Sequence, residues 1–143
     1  MISKSSGYAI RAITYLVVKS EEERKLGIHE IAESLGAPQH FLAKILQELV
    51  RRKVIGSTKG PHGGFYALSD SIDIPILRIV EIIDGLEMLN KCQMGREECS
   101  NENPCPLHYD FVKYRNGIIK TLEKKTIGDL GADVMSGTSY LAG

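Results

Sequence analysis

The stretch from Pro38 to Lys53 constrains the fold more than any other part of the sequence. Its apolar residues recur at intervals of three and four, which is the period of an α-helix with one buried face. These residues are Phe41, Leu42, Ile45, Leu46 and Leu49. Proline suits the first position of a helix, where its missing N–H would have no intrahelical partner. We therefore predict an amphipathic helix over residues 38–53 that begins at Pro38.

A shorter amphipathic segment lies immediately before this helix. Residues 29–35 place Ile31, Ala32 and Leu35 on one face, and Gly36 follows as a typical residue just beyond a helix end. A short helix, a tight turn and a longer helix form a helix-turn-helix, whose second helix fits the major groove of B-DNA. The alternative is an ordinary three-helix packing unit, which has the same periodicity.

The outer face of the longer helix is polar and basic, as recognition of base edges and phosphates requires. The candidate DNA-binding residues on this face are Gln39, His40, Lys44, Gln47 and Arg51. Residues 36–68 contain five Lys or Arg and one Glu, although the whole chain has 18 basic and 18 acidic residues. A local basic patch favours a polyanionic partner, while the alternative is a charged face that only meets solvent.

A glycine-rich turn separates two β-prone runs directly after the longer helix. The runs are residues 54–58 and 65–68, and the turn between them is residues 59–64, KGPHGG. A hairpin in this position is typical of the wing of a winged helix, and its tip is longer than a two-residue hairpin turn. We predict that Lys59, Gly60, His62 and Gly63 contact DNA, the alternative being a plain surface hairpin.

Further helices are expected on both sides of this unit. Residues 4–18 have helical apolar periodicity, and the Glu-rich residues 20–27 form a solvated connection. Pro75 opens a helix that ends at Gly85, and residues 126–134 form a last short helix before a frayed tail at 135–143. We divide the chain into a DNA-binding domain at 1–70 and a second domain at 71–143.

The helix from Pro106 to Lys125 has the most regular apolar stripe in the second half. Its stripe residues are Leu107, Phe111, Tyr114, Ile118 and Leu122. Such regularity over about five turns favours a seam between helices of two subunits, and the alternative is packing within its own domain.

Composition and motifs exclude several classes of protein. The chain has 143 residues, of which 43% are hydrophobic and 25% charged, as in soluble globular proteins. We find no apolar run of about 18 residues and no signal-peptide pattern, so we expect a cytoplasmic protein without a membrane partner. No catalytic spacing, phosphate loop or dinucleotide fingerprint is present, and we do not expect an enzyme.

Cys92, Cys99 and Cys105 fall within fourteen residues, in a polar region without helical periodicity. In a reducing compartment an odd cysteine cluster indicates a metal or redox site rather than a disulfide framework. Iron–sulfur clusters prefer soft thiolate ligands. His108 follows Cys105 by about one helical turn, so its imidazole can face the same site. We predict these four residues as the ligands of one metal centre.

Several segments resemble the Rrf2 family of winged-helix transcriptional regulators, and in particular its IscR-like iron–sulfur subgroup. They are residues 7–12 (GYAIRA), residues 30–33 (EIAE), the apolar positions of residues 41–49 and, most specifically, residues 59–65 (KGPHGGF). The resemblance extends from residue 1 to about residue 130. It implies a mainly α winged helix-turn-helix with a small β-hairpin wing and a long C-terminal dimerisation helix.

The resemblance also implies partners and a cofactor. The family binds double-stranded DNA operators as homodimers, with recognition helices in major grooves and wings at minor grooves, roles that fall here to residues 39–51 and to Lys59. Three thiolates plus one neutral histidine suggest a [2Fe–2S] cluster, because a histidine occupies this place in the IscR-like subgroup. Position 8 is Tyr8, where nitric-oxide sensors use a carboxylate nearby, which argues against a [4Fe–4S] site of their type.

Other functions fit parts of the sequence. A zinc-stabilised three-Cys one-His nucleic-acid-binding module would use the same four residues, but residues 93–104 contain no aromatic side chain for base stacking. A cluster-free regulator of the family would use the cysteines for thiol sensing or respond to another effector. An electron-transfer protein would leave the helix-turn-helix unexplained.

Overall fold

The structure, a computed structural model, describes residues 2–20 and 24–143. In these residues it has six α-helices, one two-stranded sheet and two short 3₁₀ helices. In chain order the elements are α1 (Lys4–Lys19), α2 (Ile28–Leu35), α3 (Gln39–Arg51), β1 (Ile55–Thr58), β2 (Gly64–Ala67), α4 (Ile76–Asp84), α5 (His108–Lys124) and α6 (Ile127–Met135). The 3₁₀ helices are Ser71–Asp73 and Glu87–Asn90, so the polar region predicted as a loop begins with a helical turn. The Glu run of the predicted connection, residues 21–23, lies outside the described residues.

Helix α1 lies at the centre of the core. Its residues Ala9, Ala12, Ile13 and Leu16 share one face and are fully buried, and α1 contacts α3, α4 and α6. Small alanines on such a helix let neighbouring backbones approach closely, and the larger side chains fill the space between them. The structure of α1 thus joins the elements of both halves of the chain.

Helices α2 and α3 form the predicted helix-turn-helix. Gly36 ends α2 with a φ of 62°, a left-handed conformation that favours glycine. The prediction that Pro38 is the first helical residue is wrong: Pro38 is extended and Gln39 begins α3. Pro38 still caps the helix, because its carbonyl accepts from the Leu42 N–H at 2.9 Å. Phe41, predicted in the buried stripe, is partly exposed and meets the Tyr8 ring edge-on.

Strands β1 and β2 form the predicted hairpin, with Ile55 opposite Ala67 and Thr58 opposite Gly64. Two glycines are required where the hairpin turns back. A Cβ on Gly63 would lie 2.1 Å from the Thr58 carbonyl oxygen, and one on Gly64 would lie 2.6 Å from the Leu26 carbonyl oxygen. Leu26 pairs with Phe65 through two backbone hydrogen bonds, which attach the hairpin to the segment before α2.

Helices α4 and α6 complete the core from the second half of the chain. Ile76, Ile79 and Ile127 are buried in the same cluster as Ile13 and Leu42. Helix α6 begins with a reciprocal capping box between Thr126 and Asp129, an arrangement that pairs N–H groups otherwise left open at a helix start. The two parts therefore share one core, and their division at residue 70 stays a prediction.

Two boundaries in the second half differ from the predictions. Helix α5 begins at His108 rather than Pro106, because residues 106–107 form a turn in which the His108 N–H donates to the Cys105 carbonyl at 3.0 Å. The tail is not frayed: Leu141 packs on the core, and its carbonyl accepts from Arg11 Nη1 at 2.9 Å. Apolar contact and one ionic hydrogen bond hold this segment against α1.

None of the helices in the described residues is long and apolar enough to cross a membrane.

Candidate metal centre and nucleic-acid interface

The cysteine segment connects the second 3₁₀ helix to the start of α5. Leu89 is buried, and Cys92 follows it with only 8% of its surface exposed. Gly95 turns the chain with a φ of 81°, and its N–H donates to the Cys92 carbonyl at 3.0 Å. Arg96 Nη1 donates to the Asn103 carbonyl at 3.0 Å, which ties the two arms of the loop together.

Cys92 and Cys105 form the first pair of predicted ligands. Their sulfur atoms lie 3.8 Å apart, within hydrogen-bond contact for thiols. The backbone N–H groups of Arg96 and Met94 donate to the Cys92 sulfur and lower the pKa of this thiol below its usual value, although burial opposes them. Donors aimed at sulfur favour the thiolate, which is the form that binds a metal.

Cys99 and His108 form the second pair, with Cys99 Sγ 3.3 Å from His108 Nδ1. His108 is only 3% exposed, and its Nε2 lies 2.7 Å from Asn101 Oδ1. An amide oxygen only accepts, so Nε2 carries the proton and the Nδ1 lone pair faces Cys99. Asn101 therefore fixes the tautomer and aims Nδ1, as outer hydrogen-bond partners of metal-binding histidines do.

Arg115 joins α5 to the cysteine segment. Its Nη1 and Nη2 each donate to Cys99 Sγ at 3.4 Å, and Nη2 also donates to the Lys91 carbonyl at 3.0 Å. The guanidinium thus places positive charge beside one predicted ligand and holds the first residue of the segment. Sequence reasoning missed both Arg115 and Asn101, although Arg115 follows His108 by seven residues and so shares its helix face.

The four predicted ligands are brought together in two pairs at one loop–helix junction. Within residues 2–20 and 24–143, no three His, Cys, Asp or Glu side chains meet closely enough to hold a metal ion. The donor chemistry nevertheless fits an iron–sulfur cluster, since such clusters take thiolate and imidazole ligands and hydrogen-bond donors are directed at two of the three sulfurs. A cluster would have to draw the two pairs closer.

The predicted DNA-contacting residues of α3 lie on its solvent side. Gln39, His40, Lys44 and Gln47 are exposed. Gln39 Oε1 also lies 3.2 Å from His29 Nδ1, so this side chain bridges the two helices of the helix-turn-helix. Arg51 is exposed and paired with Glu48, which also accepts from Arg52 at 3.2 Å. These ion pairs neutralise part of the basic charge at the end of α3.

The tip of the hairpin holds the other predicted DNA contacts. Lys59, Gly60 and His62 are exposed, and Gly63 is partly covered. The Gly63 N–H donates to the Gly60 carbonyl at 2.9 Å, which makes the tip a tight turn. Lys59 is therefore an exposed residue at the start of this tight turn, directly after β1.

Helix α5 has an apolar face that the monomer leaves open. Leu107, Phe111 and Tyr114 are exposed, with Tyr114 at 66%. A shallow groove beside them is lined by Tyr114, Gly117, Ile118 and Leu122. Exposed apolar stripes of this kind are typical of interaction surfaces.

Comparison with known proteins identifies the family. The sequence model of the Rrf2 family, described as an iron-dependent transcriptional regulator, matches residues 2–133. This chain belongs to the Rrf2 family. An HTH-type transcriptional regulator of Aquifex aeolicus is 32% identical over 132 residues, which cover 91% of this chain and 90% of that protein.

Two solved structures share the Rrf2 fold with this chain. The cysteine regulator CymR of B. subtilis has a TM-score of 0.73 at 20% identity, covering 92% of this chain and 96% of that one. The IscR of T. potens has a TM-score of 0.71 at 18% identity, covering 97% and 91%. The predicted winged fold is confirmed. The Rrf2 family and the Aquifex relative are described as transcriptional regulators and not as enzymes, which confirms that prediction too.

Proposed function

We propose that this Rrf2 regulator binds operator DNA as a homodimer, and that an iron–sulfur cluster held by Cys92, Cys99, Cys105 and His108 sets its affinity. One observation carries the proposal: Arg115 links Cys99 and the Lys91 carbonyl to α5, the helix with the open apolar face. The state of the cysteine segment and the position of α5 are therefore physically connected.

The donor set supports a [2Fe–2S] cluster. Cys92 receives backbone N–H groups, Cys99 receives the Arg115 guanidinium, and Asn101 directs the His108 lone pair toward Cys99. The family is described as iron-dependent, and IscR of T. potens has the same fold. A bound cluster would supply one-electron redox chemistry and sensitivity to iron supply or oxidants.

The helix-turn-helix and the hairpin support binding to double-stranded DNA. Helix α3 offers Lys44 and Gln47 for the major groove, and Lys59 lies in the wing. Phosphate contacts position such a protein, whereas side chains at base edges give it sequence preference. The ion pairs of Glu48 with Arg51 and Arg52 leave Lys44 and Lys59 as the stronger phosphate candidates.

The open face of α5 supports a homodimer. Two copies of α5 that pack through Phe111, Tyr114 and Ile118 would bury apolar surface that is exposed to water in the single chain. A twofold interface uses the same patch on both subunits, and it would present two α3 helices to a palindromic operator.

Cluster binding would change DNA affinity through α5. Ordering of residues 91–104 against Arg115 would bias the spacing of the two α3 helices in the dimer. Coupling between sites in regulatory proteins is typically about 1–3 kcal/mol, or roughly 5–150-fold in affinity. We expect the affinities of cluster-bound and cluster-free protein for one operator to differ within this range.

The test begins with protein purified without oxygen. We expect this protein to contain iron and sulfide in similar amounts. The cluster-bound dimer is then used to select the DNA duplexes that it binds from a random library. Binding of one selected duplex is measured for cluster-bound and cluster-free protein at matched salt. Equal affinities would contradict the coupling, and colourless protein containing zinc would indicate a structural zinc site instead.

The wing has a test of its own. Lys59→Ala should weaken binding and lower the slope of log affinity against log salt by about 0.9, because one phosphate contact releases about one counterion. Lys124→Ala, at the exposed end of α5, removes the same charge away from the wing and should leave the slope unchanged. An unaltered slope in Lys59→Ala would remove the phosphate contact from the proposal.

A further inference from the structure

The contact between Cys92 and Cys105 has a chemical consequence apart from metal binding. The two sulfurs lie 3.8 Å apart, and a disulfide needs them at about 2.05 Å, a closure that side-chain rotation in a loop can supply. Both residues lie outside regular helices, on a segment that contains Gly95. The backbone there can adjust more easily than two cysteines fixed on packed helices.

The third cysteine is held away from this contact. Cys99 Sγ lies against His108 Nδ1 and receives two hydrogen bonds from Arg115. Three cysteines allow three disulfides, and the structure brings only one pair of sulfurs into contact among the described residues. Proximity therefore selects one bond.

We propose that cluster-free protein forms a reversible disulfide between Cys92 and Cys105 when it meets a peroxide, and that Cys99 stays a free thiol. The site is a two-electron redox site of the protein chain itself. It does not require the cluster, and it would protect both sulfurs from irreversible oxidation after a cluster is lost.

The reaction has two steps. Cys105 is partly exposed and Cys92 is buried, so the peroxide reaches Cys105 first. The Cys105 sulfur takes one peroxide oxygen as the O–O bond breaks, giving a sulfenic acid and water. The Cys92 sulfur then attacks the Cys105 sulfur, the S–O bond breaks, and a second water leaves. Two thiols are oxidised by two electrons in all, and one hydrogen peroxide is reduced to two waters.

The test uses the full chain without cluster and one equivalent of hydrogen peroxide. Free thiols are then blocked with N-ethylmaleimide, and the chain is cut after Arg96 and after Glu102, which places the three cysteines on separate peptides. We expect titratable thiols to fall from three to one and to return to three after dithiothreitol. Residues 92–96 should be linked to the peptide that contains Cys105, and Cys99 should carry the maleimide.

Variants make the outcome decisive. Cys99→Ser should still form the bond, with a mass loss of two hydrogens, whereas Cys105→Ser should form no intramolecular bond. A mapped bond that includes Cys99, or oxidation to sulfinic acid without a cross-link, would overturn the proposal. Iron and sulfide analysis of protein prepared without oxygen measures cluster content independently of the disulfide. Failure of the disulfide proposal therefore does not contradict the cluster proposal, and the reverse also holds.

Discussion

Asp84 shows how a single carboxylate connects two helices. Its oxygens accept from the Ser3 N–H at 3.1 Å, from the Ser6 hydroxyl at 2.6 Å and from the Ser3 hydroxyl. Burial alone would raise the pKa of Asp84, but these hydrogen bonds outweigh it and hold the pKa below its usual value. The end of α4 is thereby fixed to the start of α1.

Asp84→Asn should therefore lower stability in a pH-dependent way. A carboxyl with a depressed pKa in the folded state stabilises the protein above its unfolded pKa of about 3.9, and this contribution is lost as the pH falls through the folded value. We expect a cost of about 1.5–3 kcal/mol at pH 7, the range for hydrogen bonds to a charged group. The thermal stabilities of the two proteins should begin to approach each other as the pH falls below about 3.9, and they should meet only below the folded pKa of Asp84. A difference that stays constant with pH would contradict this account.

Arg115→Ala tests the guanidinium beside Cys99, and it rests on the cluster proposal. Loss of hydrogen bonds to a sulfur ligand should weaken cluster retention. If the lost hydrogen bonds stabilise the bound cluster by about 1.5 kcal/mol, an iron chelator should bleach the variant roughly tenfold faster. Lys120→Ala removes one positive charge from the exposed surface of the same helix and serves as the control. Equal bleaching rates in the two variants would show that Arg115 does not support the site.

At the level of residues, the sequence indicated the candidate metal ligands but not the side chains that contact them. Thiols and imidazoles have distinctive chemistry, so Cys92, Cys99 and Cys105 could be singled out by spacing alone. Asn101 and Arg115 could not, because an amide and a guanidinium occur throughout protein surfaces. Their roles depend on the conformation of the loop, which no periodic pattern encodes.

Helix α5 exposes large apolar side chains that no other part of the described chain covers. We expect Tyr114→Glu to raise the dimer dissociation constant at least about tenfold, because a buried carboxylate without a partner costs more than about 1.4 kcal/mol. Tyr114 is 66% exposed in the single chain, so folding should not suffer. Tyr140→Glu, at an 83% exposed site in the tail, is the matched control. Sedimentation velocity at micromolar concentration distinguishes monomer from dimer, and an unchanged dimer in Tyr114→Glu would move the interface elsewhere.

Elements were predicted more accurately in their centres than at their ends. Apolar periodicity located five of the six helices in the described residues, because burial imposes it over several turns. The prolines were misleading as start signals, since Pro38 caps α3 from outside and α5 begins two residues after Pro106. A proline is compatible with several positions near a helix start, and the hydrogen bonds around it decide among them.

The molecule as a whole has one core built from both halves of the chain. Ile127→Ala should cost about 2–5 kcal/mol, because Ile127 is fully buried in the cluster that contains Ile13. Ile72→Ala removes a similar side chain from an exposed position and should change stability by less than about 0.5 kcal/mol. Urea unfolding at fixed protein concentration should show a single transition for both variants. Two separate transitions would instead support independent domains at residues 1–70 and 71–143.

The tail was mispredicted because its contacts are distant in sequence. Residues 135–143 are mostly small or polar, which is typical of a mobile end, yet Leu141 packs against the core. Nothing near Leu141 in the sequence indicates that Arg11, 130 residues away, will donate to its carbonyl. Contacts of this range are set by the whole fold.

Arg11 also donates to the Leu35 carbonyl at 3.2 Å and lies 4.9 Å from the centre of the Tyr8 ring. A guanidinium contains no sulfur, and peroxides oxidise proteins first at cysteine and methionine sulfur. The joint that it makes between α1, the end of α2 and the tail is therefore not a target of mild oxidants. If the cysteines act as a sensor in the way proposed, the resulting movement of α5 can be measured against this frame, with spectroscopic labels placed on exposed residues of α1 rather than on Arg11 itself.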